Sequence, residues 1–140
     1  MKFKISGKIK AKQRPKFGQG RTYTPTDTVN YENYIKILYQ QECNNHFSRP
    51  VKMVITAYFQ MPASRTKTQN TLDKFLKSTP FPTKKPDADN IGKIVADSLN
   101  GIAYKDDAQI VDMQIIKKWS MENEEYLEVE IIELKEVVAE

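Results

Sequence analysis

Cysteine and histidine occur once each in this chain, as Cys43 and His46. A lone cysteine excludes an internal disulfide and any cysteine-rich zinc site, which fits a reducing compartment. A lone histidine excludes His-rich metal sites and argues against a histidine general base. No apolar run approaches the roughly 20 residues that span a bilayer. The opening MKFKISGKIK alternates charge with hydrophobe in place of a signal-peptide core. The expectation is a cytoplasmic protein with no membrane partner. Internal repeats and long linkers are also missing, so 140 residues with 39% hydrophobic content read as a single domain, 1–140, around one modest core.

What the chain does have is charge, unevenly placed. Up to Pro86 it carries seventeen Lys and Arg against four acids (Asp27, Glu32, Glu42 and Asp73), and from Asp87 onward five against fourteen. The first segment is thus +13 and the second −9, within an overall +4. A basic segment of that size is either a solvated surface or a footprint for a polyanion, with nucleic acid the default partner.

The pattern of hydrophobes predicts the elements. Phe3, Ile5 and Ile9 alternate with lysines, a half-buried strand with a basic outer face. Residues 12–25 (KQRPKFGQGRTYTP) suit neither helix nor strand and read as a basic loop. In it Lys12, Arg14, Lys16 and Arg21 are candidate phosphate contacts, while Phe17 and Tyr23 either stack on bases or pin the loop to the core. Thr26 or Asp27 can cap a helix running to about Asn45 with an apolar stripe of Val29, Tyr31, Tyr34, Ile35 and Leu38. Val51, Met53, Ile55, Ala57 and Phe59 alternate as a second strand ending before Pro62. Residues 62–85 form a polar, basic insertion, read as mobile or substrate-contacting, with Leu72, Phe75 and Leu76 spaced for a short helix and Lys84 and Lys85 near its end.

The chain is organised around residues 84–112, KKPDADNIGKIVADSLNGIAYKDDAQIVD. Ile91, Ile94, Val95, Leu99 and Ile102 share one helical face, and Gly101 supplies the stop. The polar face then carries Asp89, Lys93 and Asp97 at successive turns. Asp87 and Asp89, if extended, point the same way ahead of the helix. As caps they would contribute a few tenths of a kcal/mol to about 1. That explains one aspartate, but not two together with Asp106 and Asp107. Carboxylates within about 4 to 6 Å raise one another's pKa, so such a gathering calls for a cation. Lys93 is either a catalytic charge or a surface salt bridge to Asp89 or Asp97 contributing about 0.3 to 0.5 kcal/mol. Asp106 and Asp107 are placed at the start of a strand, where only one of them can face the Asp87 and Asp89 pair. Val111, Met113 and Ile115 of that strand are expected inward. It turns through residues 121–125 into a last strand of Leu127, Val129 and Ile131, an antiparallel hairpin with an acidic outer face. The resulting class is α/β in the α+β sense: a mixed or antiparallel four-stranded sheet with helices packed on it, in the order β-α-β-(insertion)-α-β-β.

PDADNIGKIVADSLNGIAYKDDAQIVD resembles the signature of the RusA-type Holliday junction resolvases: Asp-x-Asp-Asn, a lysine three residues on, Asp-Ala-Leu-Asn-Gly, and Asp-Asp-x-Gln-Val/Ile. The RPKFGQGRTYTP loop and the Tyr-rich helix after it are similar to the family's N-terminal half, so the resemblance covers most of the chain. It implies metal-binding acids at Asp87, Asp89 and Asp107, with Asp106 a further candidate, and an essential lysine at Lys93. Ser98, where alanine is common, is a minor departure. Such a site suits Mg2+, with Mn2+ as a substitute, since its donors are hard oxygens. The resemblance also implies cleavage of four-way DNA junctions in recombination and repair, a homodimer that cuts two strands, no organic cofactor, and a bacterial or phage genome as source. A nucleic-acid-binding protein that does not cut, and a nuclease for flaps or forks, are the alternatives.

Overall fold

The computed structural model describes residues 1–12, 16–23 and 25–135. Its strands are β1 (Lys2–Ser6), β2 (Lys16–Gly18), β3 (Arg21–Tyr23), β4 (Val51–Gln60), β5 (Ile110–Ser120) and β6 (Tyr126–Glu133). Its helices are α1 (Thr26–Glu42), α2 (Gln69–Ser78) and α3 (Ala88–Ser98), with 3-10 turns at Ala63–Arg65 and Asp107–Gln109. Four strands form one mixed sheet in the order β1-β6-β4-β5, and β2 pairs with β3 in a small ribbon. The α+β class and the predicted order of elements are both present, but residues 12–25 are not wholly irregular. A tight turn at Gln19 and Gly20, both at positive φ, folds Lys16–Gly18 back on Arg21–Tyr23.

β4 is the centre of the sheet, with Val51, Met53, Ile55, Ala57 and Phe59 all fully buried on one face. It pairs antiparallel with β6 on one side and parallel with β5 on the other. The expected β5–β6 hairpin is therefore not formed, although the two strands do run in opposite directions. The five residues 121–125 span two strand spacings, about 9.6 Å, and cross the end of β4. There Gln60, the last residue of β4, donates its backbone N–H to Glu125 Oε2 (3.3 Å) and its side-chain amide to Asn123 Oδ1 (3.0 Å). Alternation specified the direction of these strands but not their neighbours.

α1 and α3 lie on the buried face, α1 against β1 and α3 against β5. Phe3, Ile5, Leu127, Val129 and Ile131 from the strands meet Tyr31, Ile35, Tyr39, Ile91, Ile94, Val95 and Leu99 from the helices. Burying each of these side chains contributes about 1.5–3 kcal/mol before entropy is charged against it. The buried line of α1 is Thr28, Tyr31, Ile35 and Tyr39, so the expected stripe is displaced and Val29 and Tyr34 face outward. The helix is entered from Pro25, whose φ of −54° already suits a first turn, with no side-chain cap from Thr26 or Asp27, and it ends at Glu42. α2 forms as expected within 62–85, capped by the Thr68 hydroxyl and fixed to β5 through Phe75 and Trp119 (centroids 5.2 Å apart) and the Trp119 indole donating to Thr79 O (2.9 Å).

β5 is an edge strand, as β1 is at the other side of the sheet, and this alters its expected inward face. Met113 and Ile115 do turn toward α3, but Val111 lies past the helix and is 62% exposed. The open face of the sheet holds cross-strand ion pairs: Lys2 with Glu128 and Glu130 (both 3.7 Å), Lys4 with Glu124, and Lys52 with Asp112 (3.8 Å). Among the described residues no helix is long and apolar enough to cross a membrane.

Candidate active site

α3 carries the site. Burial of Ile91, Ile94, Val95 and Leu99 fixes its rotation, leaving Lys93 exposed and Asp89 and Asp97 on the same outer stripe. The helix lies close on β5 because residue 92 is glycine: a Cβ there would sit 2.5 Å from Ile115 Cδ1 and 3.0 Å from Met113 Sδ. Asp87 occupies the N-cap position, yet its carboxylate makes no capping hydrogen bond. Asp89 is in the first turn, so the two are not extended neighbours. Among the described residues Asp87, Asp89 and Lys93 form no ion pair. The salt bridge that would have accounted for Lys93 structurally is therefore not formed.

Asp106 and Asp107 precede β5 in a one-turn 3-10 helix, so strand alternation does not govern them. Asp106 accepts from Ala108 N (3.2 Å) in a capping box closed by Gln109. Gln109 Oε1 takes Lys105 N (2.9 Å), while its amide donates to Phe47 O (2.8 Å) and Arg49 O (3.2 Å), tying this turn to the segment before β4. Sequence reasoning passed over Gln109, although Asp-x-x-Gln is a readable capping-box pattern. Asp107 is half-buried. Burial first, then a hydrogen-bonding contact with Asp97 and the charges of Asp106 and Asp97, holds its carboxyl above the usual range. Beneath them the Tyr104 hydroxyl donates to Ala96 O (2.6 Å), and burial, followed by the same three carboxylates, raises its pKa.

Asp97, on the polar face of α3, is thus the neighbour of Asp107. It also receives Lys12 Nζ at 3.5 Å, which sits 3.1 Å from Glu32 Oε1. With side chains only 17–25% exposed, this Glu32–Lys12–Asp97 link ties the approach to the ribbon to both α1 and α3. Lys12 is therefore engaged internally. Asp89 and Asp97 are two turns apart, about 12 Å along the axis. The acids consequently fall into two groups, Asp87 with Asp89 at one end of α3 and Asp97 with Asp107 at the other, with Lys93 between. Among the described residues no three His, Cys, Asp or Glu side chains gather closely enough to hold one ion. Asp112 is off the site, paired with Lys52 on the open face.

The donors available are carboxylate oxygens alone, which fits Mg2+ or Mn2+ and not a thiophilic metal. Mg2+ is commonly held through one or two carboxylates with substrate phosphate completing its shell, and each pair can offer that much. Lys84 and Lys85, just before Asp87, are exposed, as are Lys16 and Arg21 on the ribbon. Phe17 on the ribbon is 77% exposed, so it does not pin the loop to the core. Arg14 and the Tyr23 side chain lie outside the described residues.

Among the described residues, Asp89 and Lys93 stand without ion-pair partners on one helix of a single small α+β domain, with exposed lysines just ahead of it. The family model described as Endodeoxyribonuclease RusA matches residues 6–132. The chain belongs to the RusA endodeoxyribonuclease family. It is 32% identical over 127 residues, 87% of this chain and 89% of the relative, to the uncharacterised protein YqaN of Bacillus subtilis strain 168.

Proposed function

We propose that the protein is a metal-dependent endodeoxyribonuclease that resolves four-way DNA junctions in recombination and repair. The observation that carries this reading is the state of Asp87, Asp89 and Lys93: charged, exposed, without ion-pair partners among the described residues, and placed beside lysines. Asp87 with Asp89 at one end of α3, and Asp107 at the other, would offer carboxylate oxygens to Mg2+, with Mn2+ as a substitute, substrate phosphate completing the shell, and Asp106 contributing mainly through the turn it caps. An ion held by these carboxylates would supply the Lewis acidity that activates a water and offsets the charge developing on the phosphate and its leaving 3'-oxygen. Lys93 lies one turn from Asp89 and offers its ammonium to a non-bridging phosphate oxygen, where charge develops in the transition state. Lys84, Lys85, Lys16 and Arg21 bind flanking phosphates, joined by Arg14 and Tyr23 of the same arm, and by Lys12 if its link to Glu32 and Asp97 opens.

A four-way junction is two-fold symmetric and needs two cuts, so a homodimer presenting two such helices is the matching assembly. The cytoplasm of a bacterium, or of one carrying a phage genome, is where such a substrate arises.

Cleavage of a synthetic four-way junction, a flap, a fork and a linear duplex, each with Mg2+ and with EDTA, tests the reading. The expected outcome is paired nicks on the junction that EDTA abolishes. Asp89→Asn is expected to slow them by at least about 100-fold, roughly 2.7 kcal/mol of barrier, while junction binding is retained. Binding without any cleavage would make the protein a non-cutting DNA binder, and preferential cutting of flaps or forks would change the substrate class.

A further inference from the structure

Three clefts meet beside the site, and Lys8 lines all of them. One, of about 350 Å3, also takes in Lys84, Lys85, Asp87 and Asn90. A second, of about 560 Å3, runs on past Lys84 to Gly7 and Met61. A third, of about 300 Å3, leads by Lys10 to Asp27 and Thr28 at the start of α1. Lys8 is exposed and makes no ion pair or hydrogen bond through its ammonium among the described residues. Lys2 and Lys4 of the adjoining strand, by contrast, are both neutralised by glutamates.

The backbone carrying Lys8 is fixed on both sides. Gly7, at φ +106°, turns the chain out of β1 and donates its N–H to Glu125 O (2.9 Å). Ile9 is buried and donates its N–H to Glu125 Oε1 (2.9 Å). The other oxygen of Glu125 is occupied by Gln60 N, so both carboxylate oxygens in these clefts accept backbone N–H groups. The result is a held backbone that presents the Lys8 ammonium in the same cleft as Asp87, a carboxylate of the site, with Lys84 and Lys85 beside it.

We propose that Lys8 is a substrate-positioning residue that grips a backbone phosphate of the strand being cut, close to the scissile one, where the three clefts join. This rests on the nuclease reading for the word "cut" but not for the phosphate contact. The clefts have the volume of a small ligand, so what enters is the backbone of one strand and not a duplex. A lysine used this way acts as a point charge that anchors a phosphate without reading sequence.

The test separates the two layers. Junction binding is measured by fluorescence anisotropy in EDTA over a range of salt for wild type, Lys8→Ala, Lys8→Arg and the open-face control Lys2→Ala. Cleavage by the same four proteins is then measured in Mg2+. Lys8→Ala is expected to weaken binding about tenfold whatever the junction sequence, and to lower the slope of log affinity against log salt by about 1. Lys8→Arg should restore the slope, and Lys2→Ala should leave it unchanged. An unaltered slope for Lys8→Ala, or an equal loss for Lys2→Ala, overturns the proposal even if the wild type cuts junctions well. A wild type that never cuts, with Lys8→Ala still losing one phosphate contact, overturns the nuclease reading and upholds the contact.

Discussion

Asp107 shows how one side chain can be expensive to the fold and useful to the site. Its folded-state pKa is raised by burial and by Asp97 and Asp106. The protonated form is therefore favoured in the native state. The stabilisation is complete below the unfolded value near 3.9 and is lost as pH rises through the elevated native value. Metal-free Asp107→Asn should accordingly melt above wild type at pH 7, with the gap closing toward pH 4. The difference should be about 1–2 °C, small because solvent screens a half-exposed carboxylate. Thermal melts in EDTA across that range check it, and a gap that widens toward pH 4 would refute the assignment. The shared outer stripe of Asp89, Lys93 and Asp97 was legible from the sequence because spacing on a helix is a property of the chain alone, whereas the start of α3 was not, and Asp89 falls inside the helix and not ahead of it. The contact of Asp107 with Asp97 was not, because it depends on where a 3-10 turn leaves a chain that has already gone round the end of α3. The same holds for Lys12, whose bond to two acids can only be seen once α1 and α3 are packed together.

At the scale of elements, the decisive contact is α3 on β5. The hydrophobic face of α3 is plain in the sequence, as is its stop near Gly101. Gly92 is not distinctive there, since a glycine among DNIGKIV could equally be a weak spot in the helix. In the structure it lets the helix approach Ile115 and Met113. Gly92→Ala trades a helix-propensity gain of about 1 kcal/mol against a push on two flexible side-chain ends. Gly92→Leu has no room at all and should destabilise by about 1–3 kcal/mol. Because Asp89 and Lys93 ride on α3 while Asp107 leads into β5, the leucine variant should also lose junction cleavage more than junction binding. Denaturant melts with parallel cleavage and binding assays give the comparison; equal loss of both would mean that the spacing of α3 and β5 does not matter to catalysis. The missed β2–β3 ribbon and the absent β5–β6 hairpin share one cause. A three-residue strand has too few residues to show alternation, and alternation never says which strand lies next to which.

For the whole molecule, the sequence divides into a basic first part and an acidic second part, but the folded protein does not. β1 from the basic segment lies beside β6 from the acidic one, and Lys2 and Lys4 are neutralised across the open face. Exposed cations outside those pairs include Lys84 and Lys85 just ahead of α3 and Lys16 and Arg21 on the ribbon, so the basic footprint is smaller than +13 implies. Two cuts per junction also require two sites. Sedimentation equilibrium at micromolar protein should give twice the 16.2 kDa chain mass; a monomer that still makes symmetric paired nicks would remove the need for a dimer.

The position of β1 has a consequence for the order in which the chain can become active. Among the described residues its only strand partner is β6, more than a hundred residues later, with Lys2 opposite Glu130 and Ser6 opposite Tyr126. A ribosome releases β1 well before β6, so β1 must wait for β6 to be made before it can dock. The loop that presents Lys8 is anchored by Glu125 and waits with it. Closure over so long a separation is slow. A chain interrupted before Glu125 therefore lacks the anchor that holds the backbone on either side of Lys8.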